Sequence, residues 1–262
     1  MKIAFAGKGG VGKTTLAAVM VRILAEDSRK VLAIDADPNS NLAFALGFPR
    51  ADEIKPIVEM KDLIYNRMDI KGDPKGGLYK LNPKIDDIPE KFMRRRGNIG
   101  LIVMGTVDAG GSGCVCPEST FLRELLKRLV LSEGEDIVMD MEAGIEHLGR
   151  STAASMDCLL IVAEPSYISI ATGERVRKLA GDLKIKTRYI GNKVKGKEDE
   201  DYLYKNLDTD SILGMVPYNK EFESLSKKGS VLDISCSNSI LGEIKKIKER
   251  LESINESKKV TG

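Results

Sequence analysis

Between Gly7 and Thr14 the chain reads GKGGVGKT, a run of glycines interrupted by two ammonium groups and closed by a hydroxyl. Glycines at this density let backbone N–H groups turn inward on an anion. Lys13 is then placed to neutralise β- and γ-phosphate oxygens, and the Thr14 hydroxyl can coordinate Mg²⁺. Gly9, Gly10, Val11, Gly12 and Thr15 complete the expected phosphate cradle. Carboxylates follow in AIDADPNSN, with Asp35 and Asp37, and in IVMDMEAG, with Asp140. Asp35 and Asp37 point the same way on an extended chain, because side chains alternate with period two. Three carboxylates at strand ends beside a phosphate loop suit metal-assisted phosphoryl transfer better than helix capping.

A different chemistry lies in GGSGCVCP, Gly110 to Pro117, which sets Cys114 and Cys116 one residue apart. Pro117 suits the first position of a helix. The positive end of that helix would lower both thiol pKa values and favour thiolates. Two thiolates are only half of a closed tetrahedral site, which takes four ligands. Cys158 in DCLLIVAE reads as a small hydrophobe on an interior strand. Cys236 in DISCSNS has no companion nearby, and neither reads as a ligand.

These groups need a scaffold that holds strand ends together. Strand patterns begin at Lys2 (KIAFA), Lys30 (KVLAID), Gly77 (GLYKLN), Gly100 (GLIVMG), Asp136 (DIVMD), Cys158 (CLLIVAE), Arg188 (RYIGNK) and Ile212 (ILGMVP). Helical patterns run from Lys13 to Glu26, Pro117 to Leu131, Thr172 to Leu183, Lys220 to Lys228 and Ser239 to Ile254. Strands apolar on both faces and separated by helices imply an α/β fold, with a mostly parallel central sheet flanked by helices on both faces. Its ligand site falls at the carboxyl ends of the strands. A single domain, 1–262, is expected, with a variable insertion at about 48–96. There Pro, Gly and charge predict mobile loops around one short helix near Glu59 to Arg67, and Arg94-Arg95-Arg96 reads as a solvated loop edge, with docking onto an acidic protein partner as the alternative.

The 262 residues include 42% hydrophobic residues, enough for a sizeable core, and 41 Lys and Arg against 39 Asp and Glu. A net charge of +2 argues against a nucleic-acid or membrane footprint. No apolar run approaches the roughly 20 residues of a spanning helix. The N-terminus, MKIAFAGKGG, reads as neither signal peptide nor anchor, so a cytoplasmic protein is expected. In that compartment close cysteine spacing points to metal or redox work rather than disulfides. The last helix carries Ile240, Leu241, Ile244, Ile247, Leu251 and Ile254 at helical spacing. Its polar face mixes Glu with Lys, which predicts packing on the domain rather than membrane binding.

The base can also be read. GNKVK, Gly191 to Lys195, resembles the N-K-x-D loop of GTPases, but Lys195 stands where the guanine-binding carboxylate would be. Adenine is therefore expected, held by Asn192 and the VPYN loop with Pro217 and Tyr218.

Lys8 makes the loop K-G-G-x-G-K-T-T, which resembles the deviant Walker A motif of nitrogenase iron protein, Min-type and Par-type ATPases. The resemblance implies that Lys8 reaches a partner subunit's nucleotide in a homodimer, that Asp37 orients the attacking water, and that Asp35 and Asp140 serve Mg²⁺. It also implies that Gly144 sets a backbone N–H near the γ-phosphate. With AGKGGVGKTT, MDMEAGIEHLGR, GGSGCVCPE, EPSYISIATGERVRKLAGDL and VPYN together, the chain resembles the CooC-type nickel-chaperone ATPases that mature carbon monoxide dehydrogenase. The match runs almost end to end and is weakest from Phe48 to Arg96. It implies ATP-dependent closure of a homodimer, in which Cys114 and Cys116 of both chains hold Ni²⁺, and release of the metal to carbon monoxide dehydrogenase on hydrolysis. All-thiolate tetrahedral geometry would suit Zn²⁺ and square-planar geometry Ni²⁺.

Other functions fit parts of the pattern. The same motifs would serve acetyl-CoA synthase. An iron–sulfur ATPase reductase would need a second cluster cysteine after the switch, where EAGIEHLGR has none. A Min- or Par-type positioning ATPase would need membrane or DNA contacts. His147, the only histidine, reads as a hinge or cap rather than a ligand.

Overall fold

A computed structural model describes residues 1–71, 78–107, 116–132, 134–143, 145, 148, 150–220 and 238–259. Eight strands form one sheet: β1 (Lys2–Ala6), β2 (Val31–Ala36), β3 (Arg94–Arg96), β4 (Ile99–Val103), β5 (Asp136–Met141), β6 (Cys158–Ala163), β7 (Thr187–Val194) and β8 (Ile212–Pro217). Their order is β3-β4-β2-β5-β1-β6-β7-β8. Every pairing is parallel except that of β3 with β4.

Alternation along each strand divides the core. Ile3, Phe5, Val31, Ala33 and Val138 face one layer, formed by α1 (Lys13–Glu26), α2 (Leu42–Ala45) and the C-terminal α9 (Asn238–Lys259). Ala4, Leu32, Ile34, Ile137 and Met139 face the other, built from α3 (Lys61–Met68), α5 (Pro117–Leu131), α7 (Tyr167–Asp182) and α8 (Lys197–Asn206). Helices on both faces bury both sides of the inner strands, which is why those strands read as continuous apolar runs. Two further short helices, α4 (Ile88–Phe92) and α6 (Arg150–Ala154), complete the described set. No described helix is long and apolar enough to cross a membrane.

Helices α1 and α5 span the residues expected. α7 starts five residues earlier than Thr172, because the Ser166 side chain accepts from the Ser169 N–H and caps it. Ile240, Ile244, Ile247 and Leu251 of α9 are buried against the α1 side, as the spacing predicted. The pattern at Lys220 to Lys228 lies outside the described residues beyond its first position.

The stretch 48–96 departs from the loop expectation. The expected short helix is α3, and beyond it the stretch carries α4, two single-turn 3₁₀ helices at Ala51–Glu53 and Ile57–Glu59, and β3. Among its described residues, 78–82, GLYKLN forms no strand: Leu78 makes an isolated bridge to Lys71, and Leu78 and Leu81 are 83% and 62% exposed. The arginine triplet is the edge strand instead of a loop, in register Arg94 to Leu101, Arg95 to Gly100 and Arg96 to Ile99.

Candidate functional site

The loop from β1 to α1 follows from two glycines. A Cβ on Gly7 would lie 2.5 Å from the Val162 carbonyl oxygen of β6, and one on Gly12 would lie 2.4 Å from Nδ2 of Asn192. Both have φ in the left-handed region, at 147° and 100°. Gly12 begins α1 with no side-chain cap, which leaves first-turn N–H groups facing the loop.

Lys13 is buried, with Nζ 3.4 Å from the Lys8 carbonyl oxygen and 3.9 Å from Oδ2 of Asp37. The other Asp37 oxygen accepts the Asn39 N–H at 2.8 Å, which fixes the loop after β2. Asp37 thus stands beside the Lys13 ammonium.

Asp35 and Asp140 are register partners on β2 and β5, and both are fully buried. Burial, with the neighbouring Asp140 charge, pushes the Asp35 carboxyl up to about 8. Its oxygens accept the backbone N–H groups of Asp37 and Leu42, at 3.2 and 2.9 Å, so Asp35 braces the start of α2. Burial likewise raises Asp140 to about 7, and the nearby Thr14 hydroxyl and Lys13 ammonium only partly offset it. Among the described residues neither Asp140 oxygen has a hydrogen-bond partner of ordinary geometry, the Thr14 hydroxyl being near but not bonded. A buried carboxylate with two open oxygens beside a threonine hydroxyl fits a divalent cation. Of the two strand-end carboxylates, Asp140 is therefore the more open to a metal.

Lys8 is engaged within its own chain. Its Nζ lies 3.1 Å from Oε1 of Glu164, just after β6, and the other Glu164 oxygen lies 3.1 Å from Nζ of Lys193. Lys193, at φ 59°, also donates to the Gly10 carbonyl at 2.6 Å. Burial works against the charged Glu164, but hydrogen bonds from Lys8 and Lys193 outweigh it and hold the carboxyl below the usual range. Glu164 was visible only as part of a motif, since nothing local marks a residue 156 positions from Lys8 as its partner.

The residues expected to hold the base line one cavity. Asn192 donates from Nδ2 to the Val11 carbonyl at 2.7 Å. With Gly10, Gly12, Pro217 and Tyr218 it lines a cavity of about 310 Å³, to which Leu16, Val216 and Ile240 add apolar wall. Lys195 lies over the Tyr218 ring, 5.1 Å from its centroid, so the residue in the carboxylate position supports an aromatic wall.

Cys116 caps α5. Its Sγ accepts the Ser119 N–H at 3.4 Å and lies 3.2 Å from the Ser119 hydroxyl. Glu118 in the same turn accepts a 2.8 Å hydrogen bond from Tyr65 of α3. Cys114, Gly144, His147 and Cys236 lie outside the described residues. Among the described residues no three His, Cys, Asp or Glu side chains converge as a metal site. Cys158 is buried in β6, as expected.

Residues 2–232 match the CobQ/CobB/MinD/ParA nucleotide binding domain. The chain is 45% identical over 225 residues to an ATP-binding protein of Methanocaldococcus jannaschii, covering 84% of this chain and 86% of that one. It is 41% identical over 239 residues to the carbon monoxide dehydrogenase accessory protein CooC of Rhodospirillum rubrum, covering 90% of each. Among solved structures, the septum site-determining protein MinD of Pyrococcus horikoshii, complexed with Mg-ADP, superposes with a TM-score of 0.65. That match has 20% identity and covers 97% of this chain and 98% of the other.

Proposed function

This chain belongs to the CobQ/CobB/MinD/ParA nucleotide-binding family, among proteins of the CooC type, and we propose that it is a nickel-loading ATPase for carbon monoxide dehydrogenase. It is a P-loop ATPase. The observation that carries the proposed client is the 41% identity to the carbon monoxide dehydrogenase accessory protein over nine-tenths of both chains.

In this reading ATP sits with its phosphates on Gly9 to Thr15 and its base in the cavity formed with Asn192, Pro217 and Tyr218. Thr14 and Asp140 would hold Mg²⁺, which supplies charge neutralisation at the phosphates, while Asp35 keeps α2 and the Asp37 loop in place. Lys13 stabilises charge that develops on the transferred group, and Asp37 orients the attacking water. Lys8 leaves Glu164 and reaches the nucleotide of a second copy, closing a homodimer.

Nickel is cargo in this scheme. Cys114 and Cys116 from each of two chains would make a four-thiolate site that exists only while the dimer is closed. The Tyr65 to Glu118 bond anchors the turn that carries Cys116. Equilibrium dialysis against Ni²⁺, with and without a non-hydrolysable ATP analogue, tests this. One nickel per dimer is expected, tighter with nucleotide, and lost in the Cys114→Ala/Cys116→Ala protein. Equal nickel binding by that variant would rule out the proposed site.

A further inference from the structure

The three arginines of β3 do unequal work. Arg96 turns inward, donating from Nη1 to the Leu46 and Gly47 carbonyls at 2.9 and 2.7 Å, and so ties the end of α2 to the sheet edge. Arg94 and Arg95 are exposed, and among the described residues neither is paired with a carboxylate. Together with Arg50 they border a cleft of about 290 Å³ floored by Phe48 and Ile54. The only carboxylate on that border, Glu53, pairs with Arg50 at 3.4 Å, and both partners are more than half exposed. Arg50 keeps a left-handed backbone, φ 51° and ψ 46°, at the start of the 3₁₀ turn that forms the far wall.

β3 is also the terminal strand of the sheet. One edge is bonded to β4, and among the described residues no strand pairs with the other. Exposed edges present main-chain donors and acceptors to any extended chain, and charge on an edge decides which chain is accepted. An arginine edge repels a second copy of itself and attracts an acidic strand.

We propose that the β3 edge and its adjoining cleft form a docking site for an extended acidic peptide segment of a partner protein. The partner's backbone continues the sheet beyond β3, its carboxylates pair with Arg94, Arg95 and Arg50, and an apolar side chain enters over Phe48 and Ile54. Three charges around a cleft about three residues long, roughly 10 Å, suit a peptide. Nucleic acid is tracked by a longer basic stripe, which a chain of net charge +2 does not need to carry.

The test is a fluorescence anisotropy titration of the full chain with a fluorescein-labelled peptide of alternating Glu and Val. Saturable, salt-sensitive binding is expected. Arg94→Glu/Arg95→Glu should weaken it about ten-fold or more, as loss of two exposed ion pairs implies, and Arg94→Gln/Arg95→Gln by less. N-methylation of alternate peptide amides should weaken it as well, while ATP hydrolysis and the melting temperature of both variants stay those of the parent. Unchanged peptide affinity in the charge-reversed protein, equal binding of the N-methylated peptide, or displacement by a short oligothymidylate that binds more tightly would each overturn the proposal.

Discussion

Replacing Glu164 with glutamine should make the protein dimerise more readily with ATP. Glu164 holds Lys8 and Lys193 at 3.1 Å each, so a Lys8 that is to serve another subunit must first give up a partner in its own. The side chains of Lys8, Glu164 and Lys193 are 35%, 19% and 40% exposed, so each bond is screened and worth about 0.5–1 kcal/mol. A dimer opens two such bonds, one per chain. Removing the carboxylate charge therefore recovers about 1–2 kcal/mol and lowers the dimer dissociation constant about 5- to 30-fold. Sedimentation velocity with a non-hydrolysable ATP analogue, over a concentration series, reads this directly. Lys193→Met, which removes the second cation but leaves Lys8 paired, should tighten the dimer less or not at all. The reasoning fails if Glu164→Gln leaves the constant unchanged, or if it tightens the dimer equally when Lys8 is already alanine.

Other consequences concern single residues. Asp35 and Asp140 have raised pKa values, so in nucleotide-free protein each is protonated in the folded state at a pH where the unfolded chain has already lost the proton. Stability should therefore fall as pH rises from about 5 toward 8, by about 1.4 kcal/mol per pH unit from one such carboxyl, and Asp140→Asn should flatten the profile in urea titrations. The same substitution should abolish Mg²⁺-dependent hydrolysis in a phosphate-release assay. Gly12→Ala places a Cβ against Asn192 at a strained φ, so nucleotide affinity measured by calorimetry should drop about ten-fold or more with an unfolding cost above about 1 kcal/mol. Arg96→Ala removes both ties to the end of α2 and should cost about 1–3 kcal/mol in chemical denaturation.

The parts legible in the sequence are those whose cause is local. The phosphate loop, the inner strands, α1 and α5 each follow from a glycine pattern, an apolar run or a cap within a few residues. What escaped was decided by neighbours. β3 is a strand because β4 offers it an edge, although three consecutive arginines carry no strand signal. GLYKLN has the alternation of a strand, but no described strand pairs with it beyond the Lys71 to Leu78 bridge. α8 reads KEDEDYLYKN and buries only Leu203, too little to show as a periodic pattern. At the site, Asp35 and Asp140 look equivalent in one dimension. They separate because the chain after β2 turns back, so that the N–H groups of Asp37 and Leu42 occupy Asp35 and leave Asp140 open.

The register that sets Asp35 beside Asp140 also makes the pair a proton store. Burial raises the Asp140 carboxyl to about 7, and a proton held there must leave before a divalent cation can bind. Loading should then be a proton-for-metal exchange: its apparent affinity climbs as the solution becomes more alkaline, and its heat depends on the buffer that receives the proton. In more acidic solution Mg²⁺, and nucleotide bound with it, should be held less tightly, with no further sensor needed than a buried carboxyl at a strand end.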